Sequence, residues 1–380
     1  MNLILQILMY AIVLHWTVVS IFIIMGFIGY IFYKETIKLS YDHKDVEICI
    51  VSKASKSVEG VLFECIRYNS KKFSNYTVNI IVDEGSELLS GIESCIKRSE
   101  NIKLVVVPNS FKCHAIAKGR AIEYFIRTNV MPEKWYAFID DDNLVLDTKF
   151  LREIPYYEKQ GYVACNGILY PRMGKSKLTF VADSLRYFDD LTIFRFGTGM
   201  LRRPINGFHG ELLVVKGECL KSITFDRETV TEDFAFSREL FKIKAKTWQS
   251  ETIVSIQSPH SLIDFIKQRN RWYRGISNDV KDANWQMKLF AGIRIIDWRL
   301  GLSGSWMIFP VWFLLPIPLW ISLFNMIGVS YYMVAYISGA MRLESGGFKS
   351  MVMIPLYGVL EMVSPHIRIG NKKEFNVILK

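Results

Sequence analysis

Apolar positions are bunched along this chain rather than spread evenly. From Leu3 to Tyr33 nearly every side chain is apolar. About 20 such residues cross the hydrocarbon core of a bilayer, so the stretch predicts one long, tilted membrane helix. Nothing basic precedes it, and it outruns the apolar core of a leader peptide, which argues against a cleaved signal. Lys34, Lys38 and Lys44 follow it. By the positive-inside rule the chain beyond them is expected on the cytoplasmic side.

Next comes a rhythm of short apolar runs: Val46–Val51, Val78–Val82, Lys103–Val107 and Trp135–Ile139. A helical stretch around Val58–Tyr68 separates the first two, and His114–Thr128, apolar at helical spacing, separates the last two. Alternation of this kind predicts a mostly parallel sheet covered by helices, with ligands bound outside the carboxyl ends of the strands. From Ser261 to Gly301 the pattern changes. Phe265, Trp272, Tyr273, Trp285, Phe290 and Trp298 alternate with lysines and arginines, as in helices lying in a membrane interface. Ser305–Ala340 is apolar again, broken by Pro310, Pro316, Pro318 and Asn325, and Met351–Val363 is a last apolar stretch carrying Pro355 and Glu361. The chain accordingly divides into a membrane helix over 1–33, a globular domain over 45–260, interfacial helices over 261–302, two or three membrane helices over 303–368, and a tail over 369–380.

Composition narrows the partners. Half of the 380 residues are hydrophobic and the formal net charge is +10; the mean hydropathy of +0.17 is high for a soluble protein. A basic balance suits nucleic acid, anionic lipid or a phosphate-bearing ligand. No zinc-finger spacing or basic recognition helix is present, and the membrane stretches argue against nucleic acid. Membrane lipid and a nucleoside diphosphate remain as partners. Cys49, Cys65, Cys95, Cys113, Cys165 and Cys219 form no CxxC pair, and several lie in apolar runs, so a reducing compartment without disulfides is expected.

Candidate chemistry collects at the ends of the apolar runs. The run WYAFI enters Asp140, Asp141, Asp142 and Asn143 directly. Three carboxylates at one strand mouth repel one another, and a hard divalent cation bridging them to a diphosphate would relieve this; a solvated acidic turn is the plainer alternative. Asp83 follows the run NIIV, where a carboxylate can accept from a nucleobase N–H edge. Lys118 and Arg120 open the helix before the acidic strand and suit diphosphate oxygens, or simply a solvated helix face. Thr231-Glu232-Asp233 places an acidic pair in apolar surroundings, which suits a base of raised pKa or, equally, a capped helix start. Gln268-Arg269-Asn270-Arg271-Trp272 can combine a phosphate clamp with an aromatic wall for a sugar, or be an ordinary basic-aromatic membrane-surface helix.

The order of these motifs carries more than each alone. An Asp after a strand, then DxD, then ED, then QxxRW, flanked by membrane helices, resembles the membrane-bound family-2 glycosyltransferases. The stretches FKCHAIAKGRAIEY, FVADSLRYFDD, GFHGELLVV and SPHSLIDFIKQRNRWYRGI, with the Glu361 helix and the final KEFNVILK, resemble the egghead-type β-1,4-mannosyltransferases within that group. Two features depart: the chain is shorter than the animal enzymes, and the strand end reads Asp-Asp-Asp where that branch is expected to read Asp-Glu-Glu. The resemblance implies an α/β domain of the GT-A, Rossmann-like type and an inverting transfer of a hexose, mannose from GDP-mannose first, to a lipid-linked or glycan acceptor. It implies Asp233 as base with Glu232 beside it. It places Asp83, Lys118, Arg120, Asp140, Gln268, Arg271 and Trp272 around the donor, and Asp142 and Asp140 on Mg²⁺ or Mn²⁺. His209, Trp272 and Asp183 fall to the acceptor side. The rivals are a transferase of glucose or N-acetylhexosamine from UDP, a short processive synthase, and a membrane scaffold or transport protein with a degenerate domain.

Overall fold

The structure is a computed structural model and describes residues 2–33, 41–97, 99–343 and 352–367. Lys34, Lys38 and the 369–380 tail with its KEFNVILK motif lie outside the described residues. The chain forms two compact units. One comprises 34–172 and 197–257 and holds the sheet; the other comprises 1–33, 173–196 and 258–378. The sequence boundary of 45–260 therefore encloses a segment, 173–196, that packs with the helices instead.

The sheet has eight strands: β1 Val46–Ser52, β2 Thr77–Asp83, β3 Ile102–Val107, β4 Trp135–Asp140, β5 Leu144–Val145, β6 Tyr162–Arg172, β7 Leu213–Lys216 and β8 Lys246–Gln257. Their order is β3-β2-β1-β4-β7-β6-β8-β5. The first four are mutually parallel, β7 runs antiparallel to both β4 and β6, and β8 lies parallel to β6. The expected parallel sheet is thus one half of a mixed one. Helices cover both faces. Val46, Ile48 and Ile50 of β1 pack with residues of α2 (Glu59–Lys72), α3 (Leu89–Ile96) and α5 (Lys149–Glu158). Cys49 and Val51, pointing the other way as pleating requires, pack with α4 (Ala117–Thr128), α8 (Gly217–Ser222) and α9 (Glu232–Lys242). Burial on both sides explains why these strands read as continuous apolar runs.

In the helical unit, α1 spans Leu3–Phe32 and α6 and α7 span Lys177–Asp183 and Leu185–Asp189, followed by a π-helical run over Asp190–Met200. Beyond the sheet come α10 Leu262–Asp279, α11 Trp285–Ile296, α12 Leu302–Leu314, α13 Leu319–Met341 and α14 Ile354–Val363. Trp16, Val19 and Ile23 of α1 pack in one core with Val329, Tyr332 and Tyr336 of α13. The two helices are also tied by polar groups. Thr17 donates to the Asn325 Oδ1 at 3.0 Å, and the Gly328 N–H donates to Ser20 Oγ at 3.2 Å. Small residues and hydroxyls at a close helix pair suit an apolar solvent, where association cannot draw on expelled water. Among the described residues, α1 and α13 are the two helices long and apolar enough to cross a membrane, by length and composition.

Candidate active site

The carboxyl ends of β1, β2 and β4 deliver Ser52, Asp83 and Asp140 to one edge of the sheet unit. After Asp140 the chain turns tightly, the Asn143 N–H donating to the Asp140 carbonyl at 3.2 Å. The turn is braced from behind: Asn69 Nδ2 donates to the Asn143 carbonyl at 2.8 Å, and Asn143 Nδ2 donates to the Glu211 carbonyl at 2.8 Å. The three crowded carboxylates are separated by distinct partners. Asp141 accepts from Ser52 Oγ at 2.6 Å. Asp142, fully buried, accepts from the Gln257 N–H at 3.1 Å. Asp140 keeps an exposed carboxylate edge and pairs with Lys118. Lys118 supplies a counter-charge to this strand end from within the protein.

Lys118 reaches that position from the first turn of α4, just after Ala117, whose φ of 48° lies in the left-handed region. Its Nζ donates to Asp140 Oδ1 and to the Gly210 carbonyl at 3.1 Å, with Glu232 Oε1 3.9 Å away. Burial alone would weaken this ammonium; Asp140 and Glu232 outweigh burial and raise its pKa, so it stays charged. Gly210 is required for the approach: a Cβ there would lie 2.8 Å from Lys118 Nζ and 3.6 Å from Asp233 Oδ2.

Glu232 and Asp233 form the first turn of α9, so the helix-start reading holds as local structure. Thr231 occupies the cap position, yet its hydroxyl makes no capping bond to α9. Burial pushes the Asp233 carboxyl up to about 7; Glu232 and Glu211 push the same way, while Lys118 and the Phe234 N–H hold it back. A carboxyl near neutrality, beside a lysine shared with the strand-end aspartate, can take a proton at physiological pH. His209 lies close by, its Nδ1 3.4 Å from Glu211 Oε2. Its main chain is clamped by Asn166, which donates to the His209 carbonyl at 2.9 Å and accepts its N–H at 3.0 Å. Asn166 sits at a register shift of β6, a place where sheets commonly aim functional groups.

Asp83 and Arg120 form a pair rather than two separate contacts. Arg120 Nη1 donates to Asp83 Oδ1, and Nη2 donates to the Pro108 carbonyl at 2.7 Å. Burial raises the Asp83 pKa and Arg120 opposes it. Arg120, expected on the diphosphate, thus also braces Asp83 and ties down the loop after β3.

The QxxRW segment lies in α10 of the helical unit. Trp272 is half-buried, with the guanidinium carbons of Arg186 and Arg269 at 4.7 and 4.6 Å from its ring centroid, and Arg271 beside it is half-buried. Gln268, expected on the donor, is buried, and its Oε1 accepts from Arg269 at 2.7 Å. Asp183, expected on the acceptor side, is wholly buried and paired with Arg269. Ser52, Asn166, Gly210, Glu211 and Arg269 were not singled out from the sequence. The strand-end rule that found Asp83 would also have found Ser52; Gly210, Glu211 and Arg269 lie inside stretches already marked by resemblance, and nothing in the sequence marks Asn166.

The donor set suits a hard cation. Asp140 offers an accessible carboxylate at the strand mouth, with Asp142 two residues on. Mg²⁺ and Mn²⁺ sites of this kind use one or two protein carboxylates and complete their shell from substrate phosphate and water. Among the described residues no three His, Cys, Asp or Glu side chains gather into a group that could hold a metal ion by themselves.

The fold is that of the GT-A-like glycosyltransferases, by the family match and the structural likeness that follow. It belongs to the glycosyl transferase family group 2, whose sequence pattern matches residues 135–343, more than half of the chain. It is similar to the β-1,4-mannosyltransferase egh of Drosophila melanogaster, 25% identical over 331 residues that make up 80% of this chain and 71% of that protein. It is also similar to the β-1,4-mannosyltransferase bre-3 of Caenorhabditis elegans, 26% identical over 185 residues, 46% of this chain and 41% of that one. Among solved structures, the mannosyltransferase PcManGT from Pyrobaculum calidifontis, in complex with GDP-Man and Mn²⁺, superposes with a TM-score of 0.56. That match spans 94% of this chain and 99% of that one at 11% identity, a likeness of fold.

Proposed function

We propose that this glycosyltransferase moves a single mannose from GDP-mannose onto a hydroxyl of a lipid-linked or glycan acceptor, inverting the anomeric carbon to give a β-linkage, at the cytoplasmic face of a membrane. The observation that carries the reading is Asp233, held near neutrality in the first turn of α9 beside a lysine that also binds the strand-end Asp140. Asp233 accepts the acceptor's hydroxyl proton as that oxygen attacks the anomeric carbon from the face opposite the diphosphate. The bond from that carbon to the phosphate oxygen breaks, and its electron pair leaves with the nucleoside diphosphate. Base catalysis of this kind contributes roughly 10²–10⁴-fold. Glu232 keeps the Asp233 carboxyl basic, and Lys118 holds positive charge near the leaving group. Asp83, oriented by Arg120, takes the nucleobase N–H edge; His209, Arg271 and Trp272 are assigned by motif, the first and last to the acceptor. A divalent ion on Asp140 and Asp142, Mg²⁺ or Mn²⁺, would neutralise diphosphate charge when bound.

Mannose follows the names of the two animal relatives, and a guanosine diphosphate is its usual activated carrier. The membrane placement rests on α1 and α13 and on the lysines after α1. The test is donor turnover by the full chain in detergent, with GDP-mannose, UDP-glucose and UDP-N-acetylglucosamine compared and EDTA added in a parallel arm. Turnover of GDP-mannose, tighter binding of GDP than UDP, and loss of turnover in EDTA are expected. Tighter UDP binding would reverse the donor. Full activity in EDTA would remove the metal, and no turnover of any nucleotide sugar would remove the transferase reading.

A further inference from the structure

The helical unit buries a charged cluster that the proposed chemistry does not use. Arg269, 2% exposed, stands at its centre. Its Nη2 donates to Asp183 Oδ1 at 2.5 Å, and its Nε donates to both oxygens of Glu361 at 2.9 and 3.1 Å. Its Nη1 donates to Gln268 Oε1 at 2.7 Å, and Glu361 Oε2 also accepts from Trp298 Nε1 at 3.1 Å. Asp183 and Glu361 come from α6 and α14, so one guanidinium in α10 joins three helices. The adjacent Asn270 extends the tie, its Nδ2 donating to the carbonyls of Ser364, Ile367 and Pro365 at 3.0, 2.9 and 3.3 Å.

Stability alone is a poor reason for this arrangement. The cluster buries two carboxylates against one guanidinium, with Arg186 near enough to act on Arg269, and apolar residues of similar size commonly hold helices together at lower cost. What the cluster fixes is orientation. Donation to three partners in different directions leaves the guanidinium plane no freedom to turn. Its Cζ lies 4.3 Å from the Phe265 centroid and 4.6 Å from that of Trp272, a ring that the Arg186 Cζ also approaches to 4.7 Å. Phe265 is fully buried and held by the core, whereas Trp272 is half-buried and reaches the surface of the unit. A cation fixed over an indole face favours one ring position over the others.

We propose that Arg269 is a positioning residue: pinned by Asp183 and Glu361, it sets, together with Arg186, the orientation of the Trp272 indole and so shapes the wall offered to the acceptor sugar. The role of Trp272 as that wall rests on the transferase reading; the coupling of Arg269 to Trp272 does not. An arginine is needed because lysine, a point charge without a planar fork, cannot hold both carboxylates and present a flat face together.

The experiment labels the full chain in detergent with 5-fluorotryptophan and follows its ¹⁹F spectrum, the Trp272 signal being assigned by its loss in Trp272→Phe. Arg269→Lys and, separately, Asp183→Asn are compared with the parent chain. Both are expected to shift and broaden the Trp272 signal. Transfer to octyl β-glucoside and octyl β-mannoside should fall about tenfold relative to donor hydrolysis, with GDP affinity unchanged. Asp183→Asn keeps a neutral hydrogen-bonding partner and serves where the lysine variant fails to fold. A Trp272 signal unchanged in the variants, or a loss of GDP affinity in step with the melting temperature, would overturn the positioning role and leave a merely structural cluster. A parent chain that turns over no nucleotide sugar, but whose Trp272 signal responds as expected, would sink the transferase reading and leave the coupling standing.

Discussion

Asp233 is placed between opposing pulls. Burial and two neighbouring carboxylates favour its protonated form; Lys118 and a main-chain N–H favour the anion, and the balance falls at about 7 instead of the ordinary 3.8. Two outcomes follow. Transfer should rise with pH through about 7 and then level off. Asp233→Asn should lower the rate roughly 10²–10⁴-fold and leave GDP affinity nearly unchanged, because asparagine keeps the shape and cannot take the proton. Near-parental turnover in that variant would remove Asp233 from the mechanism. The same substitution should act on stability with a defined sign. Between about pH 3.8 and 7 the folded chain holds a proton that the unfolded chain has lost, so stability falls as pH rises across that window, and the full penalty is present above it. Asp233→Asn should therefore raise the melting temperature at pH 8 and change it little at pH 4. The gain should be on the order of 2 kcal/mol: each tenfold change in proton affinity is worth about 1.4 kcal/mol, and water reaching a partly enclosed carboxyl screens some of it. Thermal melts at the two pH values check it.

At the scale of elements, what could be read from the sequence follows burial. β1 to β4 stand where the apolar runs lie because both faces of those strands are covered. β6 and β8 escaped notice: Asn166, Thr247, Gln249, Ser250 and Thr252 are buried polar residues that interrupt their apolar pattern and spend their hydrogen-bonding groups inside the fold. The short α3 and the π-helical run over Asp190–Met200 carry no periodic signal of sufficient length. The strand-end carboxylates were legible because one local rule, strand then acid, locates them. The partners of Arg269 were not, since Asp183 and Glu361 lie 86 and 92 residues away and only the fold joins them. The loop before β7 offers a test at this scale. Gly210→Ala would put a Cβ 2.8 Å from the flexible end of Lys118. The lysine can swing aside, so the fold should lose less than about 1 kcal/mol, at the mild end of overpacking. Its bonds to Asp140 and the Gly210 carbonyl should break, and activity should fall at least tenfold. A parallel collapse of melting temperature and activity would instead make Gly210 structural.

For the whole molecule, length and charge decide which segments cross the membrane. The 30 residues of α1 extend about 45 Å, more than the roughly 30 Å hydrocarbon core. Leu3, Ile7, Leu14, Ile21 and Phe32 stand exposed along it, as do Leu319, Trp320, Leu323 and Val334 on α13, a surface suited to lipid. Lys34, Lys38 and Lys44 follow α1, and Arg342, Lys349, Arg368, Lys372 and Lys373 follow α13. If α13 crossed alone, the second basic cluster would face the outside, against the positive-inside rule. Pairing α13 with α12 across the Pro316–Pro318 break returns both clusters to one side. The 13 residues of α12 reach only about 20 Å, so this pairing needs a locally thinned bilayer. The prediction is that the sheet unit and the C-terminal tail are both cytoplasmic. Cys95 and Cys113, each partly exposed, are the reporters for the sheet unit; Cys165 is fully buried and would stay silent on either side. In sealed cells neither reporter should react with a membrane-impermeant maleimide until the membrane is opened, and an epitope tag after Lys380 should resist external protease. Labelling of Cys95 or Cys113 in sealed cells would invert the topology. A protected sheet unit with a cleavable tag would mean that α13 crosses alone, leaving α12 within one leaflet.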